Sequence, residues 1–309
     1  MKIFTIIVTF NGIEWLENCL RSLLYSVLPL ETIVVDNGSV DGTQELISTH
    51  FPEVHLIQLS KNTGFGRANN LGIKRAMEEG ADYVFLINQD VYVERDTVSL
   101  LIDAFHSNQE LGIVSPIHLN GSGTELDKNF SICIGPSKNC LLLSDLYLHK
   151  TKALYLVKYV NCATWLVSRE CIMKVGGFDP LFFHYGEDEN YCQRVHYHGY
   201  GIGLSTVATI RHDRDERNGE MREEFKSQNE KRAELVRLCN INNATYAAEI
   251  AGLKRQYYKF MRSRMFRLDF KGFRYYLNIY REYIKLETDV KISRQLNIKG
   301  ACWLDGDDE

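Results

Sequence analysis

The residues with the types and spacing that chemistry needs fall into a few short clusters. Glu187-Asp188-Glu189 follows Phe182-Phe183-His184-Tyr185-Gly186 and opens an expected helix. A carboxylate partly desolvated by aromatic neighbours is tuned toward general-base work on a hydroxyl. The aromatic residues themselves offer a platform for a sugar ring. Capping alone is the alternative, because a helix N-terminus favours carboxylates. Asn88-Gln89-Asp90 ends a β-rich run. A carboxylate there can hold Mg2+ or Mn2+, which then neutralises a diphosphate leaving group, but one carboxylate needs a second protein ligand. His212, after the apolar run 207–210, offers a nitrogen suited to Mn2+. A surface histidine is the alternative there, and His196 and His198 read as helix-end residues.

Asp36 ends another apolar run and is followed by Asn37-Gly38-Ser39. Its carboxylate only accepts hydrogen bonds, which matches the imide N–H of uracil or thymine. A turn-capping aspartate is the competing assignment. Asn62-Thr63-Gly64-Phe65-Gly66-Arg67-Ala68-Asn69-Asn70 couples two glycines to a helix N-terminus, a natural anion site, with Arg67 able to meet a base or phosphate. A nicotinamide site is excluded. Asn69 stands where the dinucleotide fingerprint needs its third glycine, and the first strand is followed by Asn11-Gly12 instead.

Alternating strand and helix patterns must position these clusters. Ile3–Thr9, 32–35, 54–59 and 83–87 read as strands; 14–25, a short helix opened by Asp41, and 67–79 read as helices. That order predicts an α/β fold with a mostly parallel central sheet and flanking helices. Ligands of such sheets bind beyond the carboxyl ends of the strands, where Thr9-Phe10-Asn11, Asp36 to Ser39 and Asn88 to Asp90 all fall. Residues 116–155 read as loop and irregular strand, 157–167 as a strand, 187–198 as a helix and 202–210 as one or two strands. The chain looks helical from Gly219. The expected division is 1–218 for the catalytic domain and 219–309 for a C-terminal helical appendage.

With 45% hydrophobic and 25% charged residues, the composition is that of a globular protein. A net charge of −4 gives no global pull toward nucleic acid. Eight cysteines without a CxxC pair fit a reducing compartment. The N-terminal apolar run is too short for a signal peptide, and no apolar stretch approaches the roughly 18 residues of a membrane span. The expected location is cytoplasmic.

The ordered motifs resemble the inverting family 2 glycosyltransferases of the GT-A fold, and within them the rhamnosyltransferase-like set. The resemblance covers about residues 3–215. It rests on Val8-Thr9-Phe10-Asn11, Val34-Val35-Asp36-Asn37-Gly38-Ser39, the Asn62 to Asn70 segment, Asn88-Gln89-Asp90, Gly176-Gly177-Phe178-Asp179, Gly186-Glu187-Asp188 and His212. It implies that Thr9 and Asp36 contact a pyrimidine base, with Asn11, Arg67 and Asn88 also serving the nucleotide-sugar. It implies that Asp90 and His212 bind a divalent metal, and that Asp188 is the base, supported by Glu187. Asn88 replaces the first acid of the family's DxD motif, which lowers the negative charge offered to the metal. The implied reaction is hexose transfer from a UDP- or dTDP-sugar, dTDP-L-rhamnose first, to a glycan or lipid-linked hydroxyl in surface polysaccharide synthesis. The rival is a catalytically inactive subunit of the same fold that binds nucleotide-sugar or glycan.

Residues 254–285 carry ten Lys/Arg and two acids among many aromatics. A basic, aromatic amphipathic helix suits an anionic membrane surface, so peripheral contact with the inner face of the cell membrane is one expectation. Packing as a helical hairpin and homodimer formation are the others.

Overall fold

The structure, a computed structural model, describes residues 1–136, 138, 140–214 and 223–304. Asp215, the expected boundary near residue 218 and the acidic tail from Asp305 lie outside the described residues. The chain divides into two compact units, 1–219 with 300–309, and 220–299.

In the first unit the strands are β1 (Ile3–Thr9), β2 (Glu31–Asp36), β3 (His55–Gln58), β4 (Tyr83–Asn88), β5 (Val91–Val93), β6 (Leu111–Asn120), β7 (Leu154–Val157), β8 (Thr164–Ser168) and β9 (Gly201–His212). They form one sheet in the order β3-β2-β1-β4-β8-β6-β9-β5, with β7 also paired to β9. β1 to β4 are mutually parallel, and β6 runs parallel to β9. β8 is the antiparallel strand between these two groups. The sheet is therefore mixed and mostly parallel, as the alternating patterns predict.

Helices cover both faces. α1 (Ile13–Leu24), α2 (Thr43–His50) and α4 (Thr97–Ser107) pack on one; α3 (Phe65–Glu78), α7 (Arg169–Val175) and α8 (Glu187–Tyr197) pack on the other. β1 and β4 are apolar along almost their whole length because they are buried on both faces.

Two expectations need correction. Residues 116–155 are not mainly loop: they complete β6, then form α5 (Lys128–Ile134), α6 (Cys140–Tyr147) and part of β7. Asp127 accepts from Phe130 N at 2.8 Å and so caps α5, a start signal hidden by the glycines before it. Nor is 157–167 one strand, because β7 pairs with β9 while β8 pairs with β4 and β6.

The second unit holds α9 (Glu223–Cys239), α10 (Tyr246–Phe266) and α11 (Phe270–Lys299). Its packed base includes Val236, Leu238, Ile250 and Val290. Arg294 lies over the Tyr246 ring, 3.8 Å from its centroid, and donates to the carbonyls of Leu238, Asn240 and Asn243. α10 and α11 run antiparallel, with Tyr257 stacked on Tyr283 and Phe260 against Tyr276. The last described residues rejoin the first unit, where Gly177 N donates to Cys302 O at 2.8 Å. The second compact unit closes at Lys299.

Candidate active site

β4 stops at Asn88, and after Gln89 and Asp90 the chain crosses to the far edge of the sheet as β5. There Val91 sits opposite His212 at the end of β9, and Asp213 N donates to Asp90 O at 2.8 Å. This pairing brings Asp90 Oδ1 to 3.2 Å from His212 Nε2. On the other side of the imidazole, Nδ1 lies 3.7 Å from Asp127 Oδ2. Asp127 is gripped in turn by Arg214, whose Nε donates at 2.8 Å and whose Nη2 donates to the second oxygen. Burial alone would raise the Asp127 pKa, but Arg214 and the Phe130 N–H outweigh it and hold the carboxyl below its usual range. His118, stacked on Phe130 and fully buried, has its pKa pushed down to about 3 by desolvation, so it is neutral.

The donor chemistry of this corner fits a divalent cation. Asp90 offers an oxygen and His212 a nitrogen on one cleft wall, and Asn88 Oδ1 is buried there with no hydrogen-bond partner. Among the described residues no three His, Cys, Asp or Glu side chains cluster as a complete metal cage. A cation held here would need water or phosphate oxygens for its remaining positions.

α8 delivers the acidic cluster. Gly186 takes φ 94°, a left-handed turn that favours glycine, and the helix begins at Glu187. Arg194, fully buried on the same helix, donates to Val175 O and Gly177 O and ties α8 to the Gly176-Gly177 turn. Asp188 faces the cleft. Tyr159 Oη donates to its Oδ2 at 2.9 Å, and Glu189 N donates to its Oδ1 at 2.8 Å. Desolvation raises the Asp188 pKa above the usual carboxylate range despite these two bonds, which lower it. Glu187 is buried and also lines the cleft. Of the aromatic residues before the helix, Phe183 and Tyr185 are exposed on the cleft wall, whereas Phe182 belongs to the core and is no part of a sugar platform.

The strand-end residues divide. Thr9 is buried, and its Oγ1 donates to Gln89 Oε1 at 2.7 Å, joining the ends of β1 and β4. Asn11 braces the neighbouring turn, with its Oδ1 accepting from Val40 N at 3.0 Å. Asp36 is fully buried; its Oδ2 accepts from Gln44 Nε2 and Ser39 N, while Oδ1 has no hydrogen-bond partner. Asn37 clamps the next loop by accepting from Thr63 N at 2.8 Å. The two glycines of that loop serve packing. A Cβ on Gly64 would stand 2.3 Å from Phe183 O, and one on Gly66 would stand 2.9 Å from Phe178 Cβ. Asn70 exchanges two hydrogen bonds with the Phe178 backbone. Arg67 is exposed on the first turn of α3.

A cleft of 760 Å³ therefore gathers Asn88, Asp90, Glu187, Asp188 and His212 from strand ends and one helix N-terminus. Thr9, Asn11, Asp36 and Arg67 do not line it: Asp36 is fully buried, with Gln44 and Ser39 on its Oδ2, and Arg67 is exposed on α3. Sequence reasoning missed Tyr159, Asp127 and Arg214. Nothing in the spacing from Tyr159 to Asp188 signals their contact. Asp127 could have been found as a helix cap, and Arg214 by its place two residues after His212.

The fold and this cleft define a glycosyltransferase of the GT-A class. Solved structures agree on the fold: UDP-complexed TarS 1–349 of S. aureus matches with TM-score 0.54 and 17% identity over 95% of this chain and 81% of that one. A mannosyltransferase of Pyrobaculum calidifontis, PcManGT, solved with GDP-Man and Mn2+, matches with TM-score 0.52 and 15% identity over 94% and 73%. The chain belongs to glycosyl transferase family 2, whose pattern matches residues 5–169. Among its relatives, the low-salt glycan biosynthesis hexosyltransferase Agl10 of Haloferax volcanii is 24% identical over 67% of this chain and 66% of its own length. The N-acetylglucosaminyl-diphospho-decaprenol L-rhamnosyltransferase of Mycobacterium tuberculosis is 26% identical over 61% and 68%. The dTDP-rhamnosyl transferase RfbF of Shigella flexneri is 25% identical over 68% of each chain. The chain thus spans about two thirds of the length of these relatives.

Proposed function

We propose that the protein is an inverting hexosyltransferase that uses a UDP- or dTDP-sugar, dTDP-L-rhamnose first, and a divalent cation. The observation that carries this reading is the shared cleft, in which Asp90 and His212 meet while Asp188 stands on the same wall system with a raised pKa. A bound Mn2+ or Mg2+ would neutralise charge on the departing diphosphate. Asp90 and His212 would hold that ion, and Asn88 Oδ1, buried without a hydrogen-bond partner, would offer a further oxygen.

Asp188 takes the proton from the acceptor hydroxyl as its oxygen attacks the anomeric carbon. The bond from that carbon to the diphosphate oxygen breaks in the same displacement, so the configuration inverts and no sugar–enzyme bond forms. Glu187 supports Asp188. Phe183 and Tyr185 stack against a sugar ring. Asp36 Oδ1, buried without a partner, would take the imide N–H that uracil and thymine share once the donor displaces Gln44 from its place on this carboxylate, with Thr9, Asn11 and Arg67 flanking the nucleotide site. The acceptor is a hydroxyl on a glycan or lipid-linked saccharide of a surface polysaccharide. The protein works from the cytoplasm and touches the inner membrane face peripherally through residues 254–285.

A thermal-shift panel of UDP- and dTDP-sugars with and without Mn2+ tests the donor assignment, because a ligand that binds the native fold raises its stability. A metal-dependent shift is expected with one of these donors, followed by turnover. Stabilisation without turnover on any acceptor would reassign the chain as a binding subunit.

A further inference from the structure

The aromatic residues of 254–285 are not disposed as one membrane-facing stripe. Tyr257, Phe260, Tyr276 and Tyr283 meet one another along the seam between α10 and α11. The packed base of this unit ends near Ile250 and Val290. Beyond Ile250, α10 continues for 16 residues to Phe266, about 24 Å at the helical rise of 1.5 Å per residue. The unit thus extends a two-helix arm whose turn, 267–269, is its far end.

That end is where exposed apolar side chains concentrate. Met265, Phe266, Leu268 and Phe270 are 61%, 77%, 74% and 73% exposed. Leu268 holds φ 56°, a left-handed conformation rare for a leucine, which shapes the turn. The flanking helix turns carry the exposed cations Lys259, Arg262, Arg267, Lys271 and Arg274. The one acid in 259–274, Asp269, is spent inside the turn, pairing with Arg264 at 3.3 Å and accepting from Gly272 N at 2.9 Å. Four strongly exposed hydrophobes within six residues mark an interaction surface rather than an ordinary solvent face. A collar of cations around an apolar point matches an anionic bilayer, with acyl chains below and negative headgroups at the level of the collar.

We infer that the α10–α11 turn enters an anionic membrane end-on, burying Met265, Phe266, Leu268 and Phe270 among the acyl chains while the surrounding lysines and arginines bind lipid phosphates. This rests on the reading that 254–285 meets a membrane, and it replaces contact along a helix face with insertion of one turn.

The test is co-sedimentation of the full chain with phosphatidylcholine vesicles and with vesicles containing 30% phosphatidylglycerol, a composition in the ~30 mV anionic range of cell membranes. The expected result is binding to the anionic vesicles alone, weakened tenfold or more in the triple variant Phe266→Ser, Leu268→Ser, Phe270→Ser. The variant should keep the melting temperature and light-scattering mass of the parent. A parent that ignores anionic vesicles would overturn membrane contact altogether. A triple variant that binds as well as the parent would overturn insertion by the turn but leave membrane contact standing. A parent oligomer that the triple variant dissolves, with vesicle binding unchanged, would assign the turn to contact between copies and overturn the inference.

Discussion

Tyr159 donates a 2.9 Å hydrogen bond to Oδ2 of Asp188, joining the loop before β8 to the first turn of α8. The bond favours the charged carboxylate, while desolvation favours the neutral acid and prevails, so the Asp188 pKa is raised. A base must be deprotonated to act. Activity should therefore climb with pH through a value above the ordinary carboxylate range. Tyr159→Phe removes a bond that lowers the pKa, so the acid limb of kcat/KM should move to higher pH. A pH–rate profile of the two proteins checks this, and a limb that moves to lower pH would sink the assignment.

Asp188→Asn keeps the shape of the side chain but removes its basicity. Turnover should fall roughly 10²–10⁴-fold, the usual worth of a general base, while donor binding measured by calorimetry stays near that of the parent.

Asp127 faces the nitrogen of His212 turned away from Asp90. At 3.7 Å Asp127 stands just short of a hydrogen bond to that nitrogen; a carboxylate that closes onto the second nitrogen of a metal-binding imidazole orients it, and loss of such a partner typically costs 10–100-fold in metal affinity. Asp127→Asn should weaken Mn2+ binding by about that factor, read by the paramagnetic resonance of free Mn2+ in a titration with UDP present. His212→Ala should weaken it more. Chelation of the metal should abolish turnover in the parent and be reversed by added Mn2+.

Gly64 binds the donor-side loop to the segment that carries the base. It adopts φ 93°, and Phe65 N donates to Phe183 O at 3.2 Å immediately beside it. Gly64→Ala meets Phe183 O and demands an unfavourable backbone, at a cost of about 1–3 kcal/mol. A melting temperature lowered by several degrees, together with reduced turnover, is the expected outcome.

Asp36→Asn should weaken UDP and dTDP binding alike, because both bases present the same imide. Calorimetry on the two nucleotides distinguishes this from a purely structural role, which would lower the melting temperature and leave both affinities unchanged.

Much of the fold is legible from the amino-acid order alone. Ile3–Thr9, the apolar run to Asn88 and the helix after Gly186 are local patterns of burial and turn chemistry, and local physics settles them. The same is true of the acids at 187 and 188, since a helix N-terminus and its flanking glycine are neighbours in the chain. Pairings between distant segments are not encoded in any window. That β5 crosses the sheet to lie against the end of β9, and so brings Asp90 to His212, follows from how the whole sheet closes its far edge. Whether a polar residue at a strand end reaches the cleft depends on what covers it. Asp36 and His212 look alike in the sequence, yet Gln44 and Ser39 close over one while the cleft opens on the other. Tertiary packing makes that choice, because each buried donor must find its acceptor somewhere in the finished fold.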